Sequence, residues 1–151
     1  MSESISISSD HNGVSLKLAI KSYLENLGNK VYDFGCYSKT EPVDYPDYAN
    51  AVISSVANCE SKYGILICST GTGMSIIANR HRKIRAALCH NVEIAQLARE
   101  HNNANILCLG AKYVTDKTAE KIIEQFLMTK FAGGRHTSRI NKLAEWKYEN
   151  Y

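Results

Sequence analysis

The chain has 151 residues, of which 44% are hydrophobic and 22% are charged, and its formal net charge is +3. A chain of this length fits one domain, predicted to span residues 1–151, and it buries a core without help from disulfides or a metal. The small positive charge is compatible with a phosphorylated substrate, and the densest basic run, residues 80–85, lacks interleaved aromatic residues, which favours a solvated loop over a nucleic-acid partner. No apolar run is long enough to cross a membrane.

Short apolar strands then alternate with amphipathic helices. Residues 5–9 form the first strand, where the alternation of serine with isoleucine predicts that one face of the strand is less enclosed. A stripe of apolar residues at helical spacing follows, and Gly28 ends that helix. Residues 30–34 form the second strand. A loop over residues 37–46, which holds both prolines, precedes the next helix.

The same alternation continues to the end of the chain. The middle is predicted to hold a helix at about 48–59, the strand Tyr63–Cys68, a short helix at 73–79, a strand at 85–89 and a helix capped by Asn91 that runs through Arg99. The last third is predicted to hold a strand at 104–109, a long helix capped by Thr115 or Asp116, the break Gly133-Gly134 and a final helix at about 136–148.

Strands that alternate with helices of this length predict a parallel sheet covered on both faces. The predicted fold class is therefore α/β: a single three-layer α/β/α Rossmann-like domain with a five-stranded parallel sheet and a C-terminal helix. The sequence shows neither an internal repeat nor a second domain.

The most informative segment lies in the middle of the chain. The apolar run Ile65-Leu66-Ile67-Cys68 leads directly into Ser69-Thr70-Gly71-Thr72-Gly73. Ligands of open α/β sheets bind at the carboxyl ends of strands, where glycine-rich turns and helix starts present backbone N–H groups to negative charge. A thiol beside such an anion-binding turn is a catalytic arrangement.

Four further clusters of polar residues lie in predicted loops. They are Asp10-His11-Asn12-Gly13, Asp44-Tyr45-Pro46, His101-Asn102 between a helix and the fifth strand, and Gly133-Gly134-Arg135-His136 with Arg139 one turn later. Each cluster also has a purely structural interpretation. In that interpretation Asp10 caps a helix and Cys68 is a buried core thiol. His101 faces a helix C-terminus, and the two arginines lie on a solvated helix face. The pair Tyr45-Pro46 is typical of a turn.

The joint occurrence of these clusters favours chemistry. Loops after the first and third strands open on the same edge of a parallel sheet, so Asp10, His11 and Cys68 are predicted to converge. Two arginines and a glycine-rich nest suit a phosphate dianion. A thiolate, an imidazole and a carboxylate together suit proton transfer next to a carbonyl group.

The five cysteines, at positions 36, 59, 68, 89 and 108, are an odd number without C-x-x-C spacing. This argues against a disulfide framework and against a zinc site. Several of them lie in apolar runs, which favours a reducing compartment, and the N-terminal residues carry no secretory pattern. The predicted location is the cytoplasm.

In their order and spacing, these polar clusters and the Cys68 segment resemble those of type B ribose-5-phosphate isomerases, in the family that also contains galactose-6-phosphate isomerase subunits. The resemblance covers residues 9–139. The matching segments are Ser9-Asp10-His11, Asp44-Tyr45-Pro46-Asp47-Tyr48-Ala49, Ile65-Leu66-Ile67-Cys68 with Thr70-Gly71-Thr72-Gly73, His101-Asn102-Asn103-Ala104-Asn105, and Gly133-Gly134-Arg135-His136.

The resemblance implies interconversion of ribose 5-phosphate and ribulose 5-phosphate through a cis-enediolate, in the non-oxidative pentose phosphate pathway, with no metal and no organic cofactor. It implies that Cys68 is the base that moves a proton between C2 and C1. Thr70 and the backbone N–H groups of Gly71 to Gly73 would stabilise the oxyanion. His101 would open the furanose ring, with Asp10 assisting proton movement.

The resemblance also implies a substrate-binding set and a partner. His11, Arg135 and Arg139 would hold the phosphate, Asn102 would hydrogen-bond the sugar, and Ser69, Gly71, Thr72, Gly73 and Tyr45 would complete the pocket. Family members are homodimers, sometimes paired into a dimer of dimers. Their active site is shared across the dimer, with the C-terminal helix packed on the neighbouring subunit.

Two positions depart from the family pattern. Ser69 stands where glycine is common, and Lys112 stands where many members have an arginine that helps to hold phosphate, so bidentate geometry is lost. One branch of the family uses a glutamate base in the helix after the turn. Residues 75–79 contain no carboxylate, which leaves Cys68 as the candidate.

Two alternatives remain at this point. The first is an isomerase for a six-carbon sugar phosphate, such as galactose 6-phosphate or allose 6-phosphate. The second is a non-catalytic, flavodoxin-like module that binds phosphate or a nucleotide, although the chain has no G-x-x-x-x-G-K-[ST] loop.

Overall fold

A computed structural model describes residues 2–146. The strands are β1 (Ser4–Ser9), β2 (Lys30–Asp33), β3 (Tyr63–Cys68), β4 (Ala86–Leu88) and β5 (Ile106–Gly110). The helices are α1 (Val14–Asn26), α2 (Tyr45–Ala57), α3 (Thr72–Ala78), α4 (Val92–Asn102), α5 (Asp116–Met128) and α6 (Arg135–Glu145). A short 3-10 turn, His11–Gly13, leads into α1. The last residues of the predicted final helix, 147–148, lie outside the described part.

The five strands form one all-parallel sheet in the order β2-β1-β3-β5-β4. Helices α1, α4 and α5 contribute to one apolar cluster, and α2 and α3 contribute to a second. The central strand β3 is buried along its whole length because both of its faces are covered. The predicted α/β fold with a five-stranded parallel sheet is confirmed. Among the helices of residues 2–146, none combines the length and apolarity needed to span a bilayer.

The serines of β1 correct one expectation. Ser6 and Ser8 are fully buried, whereas the sequence pattern predicted a less enclosed face. The Ser6 hydroxyl donates to Ser55 Oγ at 2.8 Å and contacts Ser61 Oγ, and the Ser8 hydroxyl donates to the Tyr48 carbonyl oxygen. Helix α2 therefore covers this face with matching polar atoms, and a buried hydroxyl that has its hydrogen bond is tolerated.

Two element boundaries also differ from the prediction. Helix α2 begins at Tyr45 rather than near residue 48, because Pro46 lies in its first turn, where a missing N–H costs nothing. His101 and Asn102 are the last two residues of α4 rather than part of a loop. Helix α4 ends there because Asn103 adopts a left-handed conformation with φ 46°.

The direction of the strands divides the molecule into two edges. All five strands point the same way, so the residues after β1, β3 and β5 lie at one edge, which we term the carboxyl edge. Helices α1 to α5 each follow a strand and run back across the sheet. The residues that precede the strands lie at the opposite edge, which we term the amino edge. The position of every candidate site residue follows from this division.

A buried ion pair joins α1 to the end of β2. Lys17 Nζ, whose side chain is 0% exposed, donates to Asp33 Oδ1 at 2.6 Å, and the Gly35 amide donates to the same oxygen at 2.9 Å. Lys17 was not among the residues predicted to be important from the sequence. Its three-residue spacing from Val14 and from Ile20, both buried, was the signal that this lysine points inward.

We predict that replacement of Lys17 by Met lowers the free energy of unfolding by about 3–5 kcal/mol, because Asp33 is left as a buried charge without its cation. Lys62→Met is the matched control. Lys62 pairs with Glu3 at the same 2.6 Å but is 54% exposed, so its loss should cost at most about 1 kcal/mol. Urea unfolding of both variants checks this, and equal losses would contradict it.

Candidate active site at the carboxyl edge

The ends of β1 and β3 are joined directly. Residues Ser9 and Ile67 are partners in the parallel ladder, and the Asp10 amide donates to the Ile67 carbonyl oxygen at 3.1 Å. Asp10, His11 and Cys68 therefore lie on the same edge, as the sequence predicted. The candidate site is therefore built at the carboxyl ends of two neighbouring strands, β1 and β3.

Asp10 combines a structural role with a free oxygen. It is buried, and its Oδ1 accepts hydrogen bonds from the amides of Asn12 at 2.9 Å and Gly13 at 3.2 Å. The capping interpretation of Asp10 is therefore correct. Its Oδ2 has no hydrogen-bond partner among residues 2–146, so one carboxylate oxygen remains available for a proton.

His11 is held by the loop before α2. Its Nδ1 accepts a hydrogen bond from the Val43 amide at 3.2 Å. A ring nitrogen that accepts carries no proton, so in the neutral ring the hydrogen is on Nε2. That tautomer presents an N–H donor, which suits recognition of an anionic group such as phosphate.

The Cys68 thiol faces the glycine-rich turn. The sulfur accepts a hydrogen bond from the Gly71 amide at 3.2 Å, and the residue is 5% exposed. Charge-assisted hydrogen bonds are stronger than neutral ones, so this amide is placed to support a thiolate. Burial raises the pKa of Cys89 to about 12 and that of Cys108 well above its usual range. Those two thiols are inert at neutral pH.

The turn after Cys68 is fixed by close packing. Gly71 has φ 76°, and a Cβ atom there would lie 2.5 Å from Leu88 Cδ1 and 2.9 Å from the Leu109 carbonyl carbon. Thr70 Oγ1 accepts from the Thr72 amide at 3.2 Å, which leaves the hydroxyl hydrogen free to donate elsewhere. A Cβ on Gly73 would collide with the Tyr45 ring at 2.5 Å, so Tyr45 lies against the start of α3.

Three backbone amides were expected to face an oxyanion, and the structure distinguishes them. The Gly71 amide donates to Cys68 and the Thr72 amide donates to Thr70. The Gly73 amide has no acceptor within residues 2–146, as is usual in the first turn of a helix. Gly73 is therefore the donor of this set that remains free for a ligand.

The two positions that depart from the family pattern are adjacent in space. The Lys112 amide donates to the Ser69 carbonyl oxygen at 3.0 Å, and the Ala111 amide donates to the Cys68 carbonyl oxygen at 2.9 Å. Both residues therefore belong to the carboxyl edge. Lys112 is exposed there, and it supplies a positive charge beside the Cys68 turn.

The remaining predicted residues lie elsewhere in the same chain. His101 and Asn102 end α4, and Arg135 and Arg139 are exposed on α6. The Ala132 amide donates to the Glu100 carbonyl oxygen at 2.9 Å, which holds the start of α6 beside the end of α4. All four residues are therefore grouped with each other rather than with Cys68.

Strand register shows how far apart the two groups are. The Gly64 amide donates to the Asn105 carbonyl oxygen, so the residues just after α4 lie beside the start of β3. Cys68 is four residues further along β3, which corresponds to about 13 Å of extended strand. His101, Asn102, Arg135 and Arg139 are at the amino edge, and Asp10, His11 and Cys68 are at the carboxyl edge.

Two further residues at the amino edge, His136 and Arg99, had no predicted role. His136 stacks on His101, with ring centroids 4.5 Å apart and an interplanar angle of 14°. Arg99 is buried, and its Nη1 donates to Asn103 Oδ1 and to the Ala104 carbonyl oxygen, which ties down the end of α4. His136 could have been identified from the sequence, because it directly follows Arg135, a predicted phosphate-binding residue. No cluster of three or more His, Cys, Asp or Glu in residues 2–146 is arranged to hold a metal ion.

Comparison with known proteins identifies the family. A family model described as Ribose/Galactose Isomerase matches residues 5–143. The chain belongs to the ribose/galactose isomerase family. The prediction of an isomerase is confirmed, and the alternative of a non-catalytic phosphate-binding module is not supported.

Individual members of the family are similar over nearly their whole length. A putative sugar phosphate isomerase of Rickettsia bellii is 52% identical over 139 residues, which are 92% of this chain and 96% of the relative. The crystal structure of a ribose 5-phosphate isomerase from Thermotoga maritima matches with a TM-score of 0.93 and 51% identity, covering 95% of this chain and 99% of that chain. Ribose-5-phosphate isomerase B of Mycoplasma genitalium, solved with bound ribulose-5-phosphate, matches with a TM-score of 0.89 and 42% identity over 93% of each chain.

We predict that replacement of Gly71 by Ala costs about 1–3 kcal/mol more of unfolding free energy than replacement of Gly28 by Ala. Both glycines have positive φ, at 76° and 86°, so both variants carry the same backbone penalty. Only at Gly71 does the new Cβ meet neighbouring atoms, because nothing lies within 4 Å at Gly28. Chemical unfolding of the two variants measures the difference, and indistinguishable losses would disprove the role of close packing.

Proposed function

We propose that the protein interconverts ribose 5-phosphate and ribulose 5-phosphate, with Cys68 as the carbon base, and that it serves the non-oxidative pentose phosphate pathway. The observation that carries the proposal is the Cys68 sulfur, placed at a strand end and hydrogen-bonded to Gly71 in an anion-binding turn beside Asp10. The ribulose-5-phosphate complex of the related Mycoplasma genitalium enzyme supports the choice of a five-carbon substrate.

The reaction begins with opening of the furanose ring. His101 donates a proton to the ring oxygen O4 as the C1–O4 bond breaks, and the electron pair of that bond goes to O4. The Asp10 carboxylate accepts the proton of the C1 hydroxyl, and C1=O forms. The free Oδ2 of Asp10 supports this part of the proposal, since Oδ1 is already occupied by two amides.

Proton transfer between the two carbon atoms follows. The Cys68 thiolate removes the proton from C2, the C–H electron pair forms the C1=C2 bond, and charge develops on O1. The Thr70 hydroxyl and the Gly73 amide are the free donors for that oxygen, and such a donor is worth about 10²–10³ in rate. The Cys68 thiol then returns the proton to C1. Asp10, which was protonated during ring opening, donates its proton to O1 and accepts the proton of O2, and C2=O forms. Proton exchange with solvent then returns Asp10 to the carboxylate and His101 to its protonated form.

Phosphate, which is remote from the reacting carbons, supplies binding energy that fixes the orientation of the sugar. In this proposal Arg135 and Arg139 hold it together with the Nε2–H of His11, and Lys112 adds a positive charge at the carboxyl edge. Asn102, Ser69, Thr72 and Tyr45 complete the contacts to the sugar. The two arginines suit a dianion because each guanidinium presents paired donors.

The proposal requires a second copy of the chain. The Cys68 group and the His101 group lie at opposite edges of one sheet, so a single chain cannot place both on one sugar. In a homodimer the amino edge of one subunit meets the carboxyl edge of the other, twice by symmetry. Leu143 and Trp146, which are 57% and 73% exposed at the end of α6, provide apolar surface for such a contact.

We predict that Cys68→Ala lowers turnover of ribose 5-phosphate at least about 10²-fold while affinity for a sugar phosphate is largely kept, because the base is lost and the phosphate contacts remain. Steady-state kinetics and calorimetric titration measure the two quantities.

Cys59→Ser is the matched control for that experiment, because Cys59 is an exposed thiol and should be dispensable. Wild-type turnover of ribose 5-phosphate, galactose 6-phosphate and allose 6-phosphate is compared in the same assay. Faster use of a hexose phosphate would overturn the proposed substrate, and full activity of Cys68→Ala would overturn the proposed base.

Complementation between two inactive variants tests the shared site. Cys68→Ala and His101→Asn should each be inactive alone, and mixing them after reversible dissociation should restore roughly a quarter of wild-type activity. After random reassociation, half of the dimers contain one subunit of each variant. In each of these mixed dimers, one of the two sites has both native Cys68 and native His101. If verified mixed dimers stay inactive, Cys68 and His101 do not act across the interface.

A further inference from the structure

The inference concerns the buried ion pair Lys17–Asp33 and the segment that follows it. Asp33 ends β2, and its Oδ1 accepts hydrogen bonds from Lys17 Nζ at 2.6 Å and from the Gly35 amide at 2.9 Å. The Tyr37 ring covers the pair, with Lys17 Nζ 4.4 Å from its centroid, and the Tyr37 hydroxyl donates to the Asp33 carbonyl oxygen at 3.0 Å. One ion pair and two hydrogen bonds therefore fix the start of the segment after β2.

The same segment holds the end of β1. The Ser9 amide donates to the Gly35 carbonyl oxygen at 2.7 Å, and the Cys36 amide donates to the Ser9 carbonyl oxygen at 2.7 Å. On the other side of β1, the Asp10 amide is joined to β3 through the Ile67 carbonyl oxygen. The strand end that carries Asp10 is thus supported from both sides, and beyond β2 the support comes from the backbone of residues 35–36.

Lys17 completes a closed path of contacts around this strand end. It lies on α1, which begins directly after the 3-10 turn that Asp10 caps. The backbone therefore leads from Ser9 through Asp10 to Lys17, and the ion pair and the Gly35 hydrogen bonds lead back to Ser9. Where a buried ion pair is kept in place of apolar packing, its best-attested contribution is to fix register. The path resists displacement of the turn that carries Asp10 and His11.

We propose that Asp33 is a positioning residue, which sets the Asp10–His11 segment relative to Cys68 by anchoring the Gly35 amide. The inference deepens the proposed function and rests on it, because there Asp10 moves protons and His11 binds the phosphate. Neither charge of the buried pair touches the sugar in this proposal. Misplacement of a reacting group by about 1 Å can cost about 10²-fold in rate, so a small shift of the strand end is enough to slow the reaction.

Two double variants isolate the anchor. Lys17→Met with Asp33→Asn, the Asn variant, removes both charges and keeps a side-chain oxygen for the Gly35 amide. Lys17→Met with Asp33→Leu, the Leu variant, keeps the branched shape and removes that oxygen. Neither double variant leaves an unpaired buried charge, which distinguishes both from Lys17→Met alone.

We predict that kcat/KM for ribose 5-phosphate stays within about threefold of wild type in the Asn variant and falls about 10-fold or more in the Leu variant, because only the second loses the anchor. Steady-state kinetics measure this at a temperature where urea unfolding curves show that both variants are folded. Lys62→Met with Glu3→Gln removes the exposed ion pair, and this control should leave kcat/KM unchanged.

Two further measurements separate positioning from a general loss of structure. In the Leu variant the inhibition constant of inorganic phosphate should rise about 10-fold, because the displaced His11 loses a hydrogen bond to a charged group. The rate at which iodoacetamide alkylates Cys68, followed by mass spectrometry, should stay within about twofold of wild type, because Leu88 and the Leu109 backbone bound the Cys68 turn.

A Leu variant as active as the Asn variant would overturn the inference, as would a Leu variant with unchanged phosphate inhibition or with faster alkylation of Cys68. If the Leu variant does not fold, Lys17→Met with Asp33→Ser takes its place with the same expected outcomes, since the serine hydroxyl is one bond too short to reach the Gly35 amide. A wild-type protein that does not isomerise ribose 5-phosphate would instead overturn the proposed function, and the inference with it.

Discussion

The common direction of the five strands is the constraint on which the rest of the structure depends. In a parallel sheet the loops after the strands share one edge, and the helices return the chain to the other. That geometry brings Asp10 beside Cys68 because β1 and β3 are neighbours, with no further device needed. The same geometry separates His101 from Cys68, because α4 must end where β5 begins. The grouping of site residues is thus a property of strand direction.

Packing and hydrogen bonds hold the carboxyl edge in place. The Cys68 turn is bounded by the Leu109 backbone and by Leu88, and the Gly71 amide is used to hold the sulfur. The 3-10 turn after β1 is held by Asp10, and the loop before α2 is tied to His11 through Val43. Asp10 Oδ1, His11 Nδ1 and the Gly71 amide are thus engaged within this edge, and the Asp10 Oδ2 atom and the Gly73 amide have no hydrogen-bond partner among residues 2–146. Preorganised donors of this kind cost no reorganisation when charge develops on a bound molecule.

The sequence predicted the class of fold and most of the candidate site, for identifiable reasons. Apolar runs such as that of β3 and the caps Asn91 and Thr115 are local signals, and both caps accept the expected helix amides. The sequence misjudged or missed the burial of a side chain where its partners are far away along the chain. Ser6 is buried because Ser55 and Ser61, about fifty residues away along the chain, supply hydroxyl partners. Lys17 points inward because Asp33 meets it there.

By itself the sequence determined the order of the elements, the thiol at the end of β3, the glycine-rich turn and the membership of the ribose/galactose isomerase family, because these depend on residue types at short spacing. The convergence of Asp10, His11 and Cys68 on one edge was also predicted, because loops after parallel strands share an edge. Only the tertiary structure decided that His101, His136 and the two arginines of α6 lie together at the opposite edge. The physical reason is that edges are defined by strand pairing and helix return, which join residues far apart in the chain. A local sequence pattern does not specify which distant residues will lie next to it in the folded chain.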